Sequence, residues 1–524
     1  MTHLIRTGRR ALPRLPLPHA LAPALLATLL LAGCMVGPDY HRPEVAMAER
    51  YHAGDGLAAV SGDSTADLAR WWTGFDDPAL TRIIDRVLAQ NLDLAAAQAR
   101  VVQARAAAGE AATAWLPQGS LDGSIVHEHQ SLVSPLGTIV SQSPGYSRNL
   151  TLEQIDAGAS WELDLAGGLH RRAEALRDEA QAAEAARLGT RVSIAAEAAD
   201  AYFRLRSAQA AIVLLREQID TDGALVRVTE DRVQQGVALD RDRDDAEAQL
   251  AQDRALLPGL LTQAAQQRNR LDVLMGDAPG TDAAALGDAP PAMGVAPGLP
   301  GKLRPADLLR RRPDVIAAER RLASATAGIG AALSQYYPDV SLSGLLGFDR
   351  LNNGSLFTAR AFEPSVLAGL HWRLFDFGRV DDEVRQAKGA RAEAFAQYRQ
   401  SILRASEDVE NALVALAESD ENVEQWRAVT GATGRAEQSA QRSYTQGTAA
   451  QGELLHRRRA LLEARRAWVL ASGDRARATV AAYRALGGGW SPDAPDDAQA
   501  ASPAPASTPA ASVASATPAL AATP

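Results

Sequence analysis

Two short stretches of the sequence combine residue types that could support chemistry. His127, Glu128 and His129 place two imidazoles two positions apart, so that on a strand both would point to one face as metal ligands. No third ligand is evident, and polar side chains are expected at the outer end of a strand in any case. Gly328 and Gly330 make a lone small-residue step, which on a helix favours close packing over phosphate binding. Since no serine–histidine–aspartate order, cysteine–histidine pair or P-loop is present, the sequence predicts no catalytic residue, no metal site and no enzyme.

Cys34 is the only cysteine, so a disulfide within one chain is excluded. It follows a stretch with the pattern of a secretory signal, in which early arginines precede an apolar run from 20 to 31 that is too short to span a bilayer. The four residues Leu31-Ala32-Gly33-Cys34 resemble the bacterial lipobox, where the thiol is acylated and the cysteine becomes the mature first residue. We therefore predict a signal peptide over 1–33. On Cys34 we predict a thioether-linked diacylglycerol and an N-acyl chain, with no other cofactor.

Charge and composition narrow the class of protein. Met35 stands where an aspartate would suggest inner-membrane retention, so we expect the lipid to lie in the outer membrane. The formal net charge of the 524 residues is -9, and removing 1–33, which carry four arginines and no acidic residue, takes it to -13. Phosphate contacts need a basic face, so nucleic-acid binding is not expected. No segment after Cys34 approaches the ~20 apolar residues of a membrane helix, so any membrane-spanning part must consist of strands.

The chain contains an internal repeat. Trp115-Leu116-Pro117 is echoed by Tyr336-Tyr337-Pro338 at an offset of 221, and Gln235-Gly236 by Gln446-Gly447 at an offset of 211. The change of offset predicts a deletion after the second proline-led strand, so one strand loop, near 130–148, should be long and its counterpart short. Each half is predicted to run helix, strand, loop, strand and very long helical hairpin.

The helical hairpins are predicted from the spacing of apolar residues. They recur at alternating steps of four and three, which is the 3.5-residue repeat of a coiled-coil seam. The first set is Ile194, Ala198, Ala201, Leu205, Ala208, Ile212, Leu215 and Ile219, and a shift of 211 gives a mostly apolar second set in the same phase. If Gly236 and Gly447 mark the turns, the arms run roughly 60 residues, or about 90 Å. An ordinary helical bundle is the alternative, into which two such hairpins fit poorly.

The predicted strands have a period of two instead. Apolar residues alternate from Ile155 to Leu165 and from Val366 to Leu374, and more weakly after Pro117 and Pro338. Strands of ~9–11 residues with one apolar face suit an outer-membrane barrel, although soluble antiparallel strands would show the same period. Four strands cannot close a barrel around a useful pore, so closure would need several copies of the chain.

Motifs from Cys34 to Trp490 then resemble one known family. They are Cys34-Met-Val-Gly-Pro-Asp-Tyr-His-Arg-Pro43, Trp71-Trp72 with Phe75 and Asp77-Pro78-Ala79-Leu80, Arg311-Arg312-Pro313-Asp314-Val315, Phe375-Asp376-Phe377-Gly378-Arg379 and Tyr483-Arg484-Ala485-Leu486-Gly487-Gly488-Gly489-Trp490. In this order they are similar to TolC/OprM-type outer-membrane factors, in the NodT-like lipoprotein branch, of RND-type tripartite efflux systems.

The resemblance implies a mostly α, α+β fold. In the family a homotrimer shares one 12-stranded outer-membrane β-barrel, continued by a 12-helix periplasmic tunnel with an equatorial domain. Its implied partners are a periplasmic adaptor (membrane fusion protein), an inner-membrane RND transporter and outer-membrane lipid. The implied function is a passive exit duct for drugs or other small toxic compounds.

The sequence departs from the family at two places. Ala166-Gly167-Gly168 stands where Phe-Gly-Arg is common, and no aspartate follows Gly447 where relatives carry an aspartate ring. After Gly236 comes a charge run that includes Asp240 and Arg243. We predict that these two turns and two charged residues form the hairpin tips that meet the adaptor or the gate, although a dense charge run is usually a solvated helix face.

The predicted domain order follows from these features. It is a signal peptide (1–33), an acylated extended segment (34–70), a first repeat (71–290), a linker (291–304), a second repeat (305–490) and a disordered tail (491–524). Strands are predicted at about 117–127, 150–165, 338–348 and 364–375, and long helical hairpins at about 168–276 and 379–487. Two alternatives stay open: a type I secretion duct for proteins, and a coiled-coil envelope lipoprotein without a pore.

Overall fold

The computed structural model describes residues 35–52 except 46, 68–281, 287, 296–299, 305–307 and 311–491 except 353. The predicted signal peptide, Cys34, most of the predicted linker and the tail beyond Ser491 lie outside the described residues. In chain order the elements are α1 (Pro78–Gln90), α2 (Leu92–Thr113), β1 (Gln118–His129), α3 (Pro135–Val140), β2 (Asn149–Leu163), α4 (Gly168–Gln234), α5 (Asp240–Leu274), α6 (Pro313–Ser334), β3 (Asp339–Leu351), β4 (Phe362–His371), α7 (Arg379–Thr445) and α8 (Gln451–Ala485).

Two helical hairpins make up most of the chain. α4 and α7 have 67 residues each, and α5 and α8 have 35 each. At 1.5 Å per residue the longer arms measure about 100 Å. The alanine-rich stripe of α4 is buried from Ile194 to Leu215, and its counterpart on α7 is buried at Ala405, Val409, Ala412 and Leu416. Small side chains at these positions let the helix axes approach closely, so the seam is dense despite few large residues.

Shorter helices continue the line of the shorter hairpin arms. Asn91 caps α2 by accepting from the backbone of Asp93 and Leu94, and its Nδ2 donates to Leu274 O at the end of α5, at 2.9 Å. In the second half, Arg312 Nη1 donates to Ala485 O at the end of α8, at 3.2 Å. α5 therefore meets α2 end to end, and α8 meets α6, so each hairpin is prolonged beside α4 and α7 toward the sheet.

The strands form one antiparallel sheet in the order β1-β2-β3-β4. Asp122 lies opposite Asp156, Ala157 opposite Leu346, and Gly344 opposite Val366. The β1–β2 connection spans 130–148 and contains α3, whereas the β3–β4 connection spans only 352–361. β4 ends at His371, although the apolar alternation continues to Leu374, because its partner β3 begins only at Asp339, after Pro338.

A belt of aromatic residues packs around the middle of the helices. A 3-10 helix at Leu68–Phe75 buries Trp71, Trp72 and Phe75. The Trp71 ring stacks on Tyr483 of α8 with centroids 5.5 Å apart, and Phe75 lies 4.8 Å from Phe203 of α4. This belt therefore ties the first hairpin to the second at their common midpoint.

Candidate channel surfaces

One face of the sheet is apolar over most of its length. Because directly opposed residues of antiparallel strands share a face, the register places on it Leu121, Ile125, Ile155, Ala157, Leu163, Leu342, Leu346, Val366 and Leu370. Several of these side chains are strongly exposed, Ile125 by 76% and Val366 by 82%. A monomeric soluble protein rarely exposes such a large contiguous apolar patch, so this face needs a lipid or protein cover.

Aromatic residues border that face at both ends. At the end next to the helices, Trp161 Nε1 donates to Trp115 O at 2.8 Å, and Trp372 Nε1 donates to Tyr336 O at 3.0 Å. At the loop end Phe348 lies 5.3 Å from Phe357 and 5.5 Å from Phe362. Belts of this kind sit at the two interfaces of a membrane, where an indole keeps its ring in lipid and its N–H in polar surroundings.

The apolar face carries its polar groups near the loop end. Glu153 and Arg350 are opposed across β2 and β3 and form an ion pair. His127 lies 3.0 Å from Thr151 Oγ1, and His129 lies 2.6 Å from Asn149 Oδ1. The two histidines thus share a face, as two residues apart on a strand must, and each ring has a neutral hydrogen-bond partner across the ladder.

The opposite face of the sheet is acidic. The same register places on it seven carboxylates, with His371 as the only basic side chain among the strand residues of this face. They are Asp122, Glu128, Asp156, Glu162, Asp339, Asp349 and Glu363. Like charges directly opposite one another, such as Asp122 and Asp156, destabilise a sheet, and here each carboxylate accepts a hydrogen bond from a neighbouring side chain, Ser120 or Gln154. Sequence reasoning missed this face, although the alternating positions of the acids carried the signal.

The turn of the first hairpin is charged. Gly236 adopts φ 72° between α4 and α5, a conformation that glycine tolerates at low cost. Asp240 begins α5, and Arg243 reaches Asp240 at 3.1 Å, Asp244 at 2.9 Å and Glu247 at 3.9 Å. All three partners lie on α5 itself. Arg243 therefore stabilises its own helix within the protomer and does not link the two hairpins.

The turn of the second hairpin has the same backbone and different side chains. Gly447 adopts φ 73°, and Thr448 Oγ1 donates to Ser443 O at 3.0 Å. α8 begins after Ala450, whose side chain provides no cap, and the single acid of its first turn is Glu453. The two predicted tip glycines thus hold equivalent positions, but the dense charge belongs to the first tip alone.

The residues after Cys34 are held at the junction between the sheet and α4. Val36 N donates to Ala166 O at 3.1 Å, and Arg171 Nε donates to Val36 O at 3.2 Å. Gly330 lies against this segment so closely that a Cβ would come within 2.7 Å of Val36 O. Gly330 therefore serves close packing, and the segment that follows Cys34 is held beside the aromatic border of the apolar face.

A buried carboxylate fixes the segment further along. Glu319 of α6 accepts from Arg42 Nε at 2.9 Å and from the Tyr40 hydroxyl at 3.3 Å. Burial acts to raise the pKa of Glu319, but hydrogen bonds from Arg42 and Arg320 outweigh it and hold the pKa below its usual range. The segment from 35 to 52 is thus tied to the helices by charged contacts that sequence reasoning did not identify.

Over the described part of the chain, every helix is too short or too polar to cross a bilayer.

Comparisons with known proteins identify the class of protein to which these surfaces belong. The model of the family "Outer membrane efflux protein" matches residues 83–277 and 305–488. The chain is 28% identical over 481 residues to nodulation protein T of Rhizobium leguminosarum bv. trifolii, covering 89% of this chain and 96% of that protein.

Two further similarities concern outer-membrane proteins. The chain is 28% identical over 470 residues to the outer membrane protein OprJ of Pseudomonas aeruginosa, covering 89% of this chain and 95% of that one. Its fold matches the solved structure of the outer-membrane channel OprN with a TM-score of 0.74 at 33% identity, covering 87% of this chain and all of that one. The resemblance inferred from the sequence motifs is confirmed, and the chain belongs to the outer membrane efflux protein family.

Proposed function

We propose that three copies of this chain close into one duct, with twelve strands in the outer membrane and a twelve-helix tunnel beneath them. Membership of the family makes the chain an outer-membrane efflux channel; the trimer and its barrel are the inference. The sheet supports it, because among the described residues β1 and β4 each pair on one side only and leave an open row of backbone groups on the other. Closure onto the next copy removes both edges, which is how barrels avoid unpaired strands.

The helices support the same closure. α4 and α8 lie inside the protomer, whereas α5 and α7 are its outer helices and expose Leu261, Val273, Val414 and Val429. Packing α7 of one copy against α5 of the next would cover these side chains. With four helices per copy at each level, three copies give a ring of twelve.

The observation that carries the proposed function is the two-faced sheet continued by helices of about 100 Å. Ring closure puts the apolar face on lipid and the seven carboxylates of each copy into the lumen. Solutes cross such a lumen without chemistry, so we propose a passive exit duct. It would carry drugs or other small toxic compounds delivered by an inner-membrane RND pump and a periplasmic adaptor. A protein-secretion duct would share this architecture, whereas a scaffold without a pore gives no reason for an apolar face bordered by tryptophans.

Acylation of Cys34 is part of the proposal. The next residues lie at the sheet–helix junction, so lipid on Cys34 would enter the bilayer beside the barrel wall. Cys34→Ser is expected to abolish palmitate labelling and weaken outer-membrane retention while the trimer still forms. Continued labelling of the variant would show that another residue carries the lipid.

Reconstitution tests the duct directly. The purified chain should run as a trimer that resists SDS without heating, and it should conduct ions in planar bilayers. It should also restore drug resistance to a strain that lacks its own outer-membrane channel but retains pump and adaptor. A monomer without conductance would contradict the duct and leave the scaffold, whereas conductance without resistance would favour another cargo.

A further inference from the structure

The helices α4, α5 and α8 enclose a small polar cluster in the half of the hairpins that is nearer the turns. Asp222 lies on α4 and Asp253 on α5, and they are exposed by only 1% and 3%, while Arg459 approaches from α8. Gln218 of α4 donates from Nε2 to Asp253 Oδ2 at 2.6 Å. Asp222 precedes the end of α4 at Gln234 by twelve residues, about 18 Å along the axis, so the cluster lies above the hairpin turns and apart from them.

The acceptors of this cluster outnumber its donors. Among the described residues, no donor is well aligned with either carboxylate oxygen of Asp222 or with Gln218 Oε1. Arg459 Nε lies 3.2 Å from Asp222 Oδ1 at ion-pair distance, yet it is not aligned for a hydrogen bond. A buried polar atom without a hydrogen bond is destabilising, and Arg459 Nε is the only unbonded donor of the described cluster beside three unbonded acceptors, so the cluster is short of donors.

The balance of charges also indicates that the cluster lacks a proton. Two buried carboxylates face one guanidinium whose side chain is 24% exposed, which leaves one uncompensated negative charge in the cluster. Other charged or titratable side chains close by in the sequence of the three helices are exposed to solvent, among them Asp220, Arg254, His456, Arg458 and Glu463. A single proton would cancel the excess charge and would also supply a donor, since a protonated carboxyl can donate to its partner.

We propose that Asp222 and Asp253 share one proton at acidic pH and that this proton seals the joint between the two helical hairpins. Burial, and then the adjacent Asp253 carboxyl, raise the pKa of Asp222 to about 7 against the opposing effect of Arg459. The folded pKa is therefore above the ordinary value of 3.8. The stabilisation is fully present below about pH 4 and is lost as the pH rises through about 7.

Loss of the proton would loosen α4, α5 and α8 just above the turns. The effect on the duct rests on the proposed function: the lower tunnel would open more readily at alkaline pH than at acidic pH. The effect on stability does not rest on the proposed function, because it depends only on contacts within one chain.

Thermal unfolding of the full-length protein in detergent between pH 5 and 8.5 tests the proton. The midpoint of the wild type should fall by about 3 °C or more across this range relative to Asp222→Asn, which mimics the protonated carboxyl. The matched control is Asp220→Asn, an exposed position on the same helix, which should follow the wild type. Parallel pH profiles for the wild type and D222N would overturn the proposal.

Two further variants keep the test valid if D222N fails to fold. Asp253→Asn leaves Asp222 with Arg459 alone, so the pH of the transition should move down by about one unit or more, whereas Arg459→Gln should move it up. Charge compensation by a bound divalent cation is the competing explanation. If magnesium ions raised the midpoint of the wild type but not of D222N at pH 8, a bound cation would replace the shared proton and the proposal would fail.

Conductance measurements distinguish the shared proton from the proposed duct. Wild-type channels in planar bilayers should open more often at pH 8 than at pH 5, and D222N should show no such change. A pH-dependent midpoint without any conductance would support the shared proton and contradict the duct.

Discussion

The inner and outer helices of the protomer differ although they are built alike. α4 and α7 have the same length and the same apolar repeat, yet 26 residues of α4 are buried and only 11 of α7. α5 and α8 differ in the same way, with 6 and 13 buried residues. Among the described elements, α4 and α8 are flanked by helices on both sides, whereas α5 and α7 are flanked on one side only. The chain is therefore an open arc whose two outer helices leave apolar side chains for another surface to cover.

The sheet repeats this comparison. In the part of the chain that the structure describes, β2 and β3 are hydrogen-bonded on both edges, and β1 and β4 on one. The open edges of the sheet and the open sides of the helices lie at the two ends of the same arc. A single operation, rotation about the duct axis onto identical copies, would satisfy both.

A charge on the exposed face of the outer helix α7 should have the largest effect on assembly. Val414 lies half a helical turn from the buried stripe of α7 and is 51% exposed in one chain. Val414→Glu would bury an unpaired carboxylate against the next copy, which costs several kcal/mol, so we expect at least a tenfold loss of SDS-resistant trimer. The control Val213→Glu is on the inner helix α4 at 41% exposure and should assemble normally. Equal assembly of both variants would show that α7 does not meet a neighbouring copy.

The two faces of the outer strand give the next effect. Val366 and Leu367 are adjacent on β4 and exposed by 82% and 67%, but they point to the apolar and the acidic face respectively. Arginine on a lipid-facing strand costs ~2–4 kcal/mol at the bilayer midplane, so Val366→Arg should hinder folding into lipid vesicles while Leu367→Arg folds normally. The heat-modifiable shift of the folded protein on gels measures this difference. The opposite order would mean that the faces of the sheet are assigned the wrong way round.

The sequence predicted the bounds of the helices and strands better than it predicted which of these elements lie next to one another. A strand predicted at 338–348 is found at Asp339–Leu351, and a hairpin predicted to end near 276 ends at Leu274, because period and proline positions act locally. The predicted outer-membrane location and efflux function, and a mostly helical fold with a small sheet, are confirmed by the family match and the OprN structure. The tip roles of Gly236, Gly447, Asp240 and Arg243 stay predictions.

What sequence reasoning lacked is the register between elements. Alternation shows that Asp122 and Asp156 each belong to one side of a strand, but only the pairing of β1 with β2 places them opposite one another. The cluster of Asp222, Asp253 and Arg459 draws on three helices, and a heptad pattern does not say which helices are adjacent. The course of 35–52 is set by isolated charged contacts such as Arg42 with Glu319, which leave no periodic signal.

Closure of the arc also predicts charge selectivity. With seven carboxylates of each copy in the lumen, the channel should pass cations in preference to anions. Asp122→Asn combined with Asp156→Asn should lower the permeability ratio of potassium to chloride severalfold, as read from the reversal potential in a potassium chloride gradient. The control Glu153→Gln with Arg350→Gln removes one charge of each sign from the other face and should leave the ratio unchanged. An unaltered ratio in the aspartate variant would place the acidic face outside the conduction path.

The smallest effect is expected at the hairpin tips, where the outer helix α5 and the inner helix α8 begin. Among the described residues Arg243 pairs only with Asp240, Asp244 and Glu247 of its own helix, and exposed ion pairs of this kind contribute little to stability. Arg243→Gln should therefore leave both the thermal midpoint and the open probability of the channel unchanged, as should Glu453→Gln at the second tip. A rise in open probability for R243Q alone would show that Arg243 reaches a carboxylate of the neighbouring copy. In that case the first tip would belong to the closing contact between copies, as the exposed position of α5 allows.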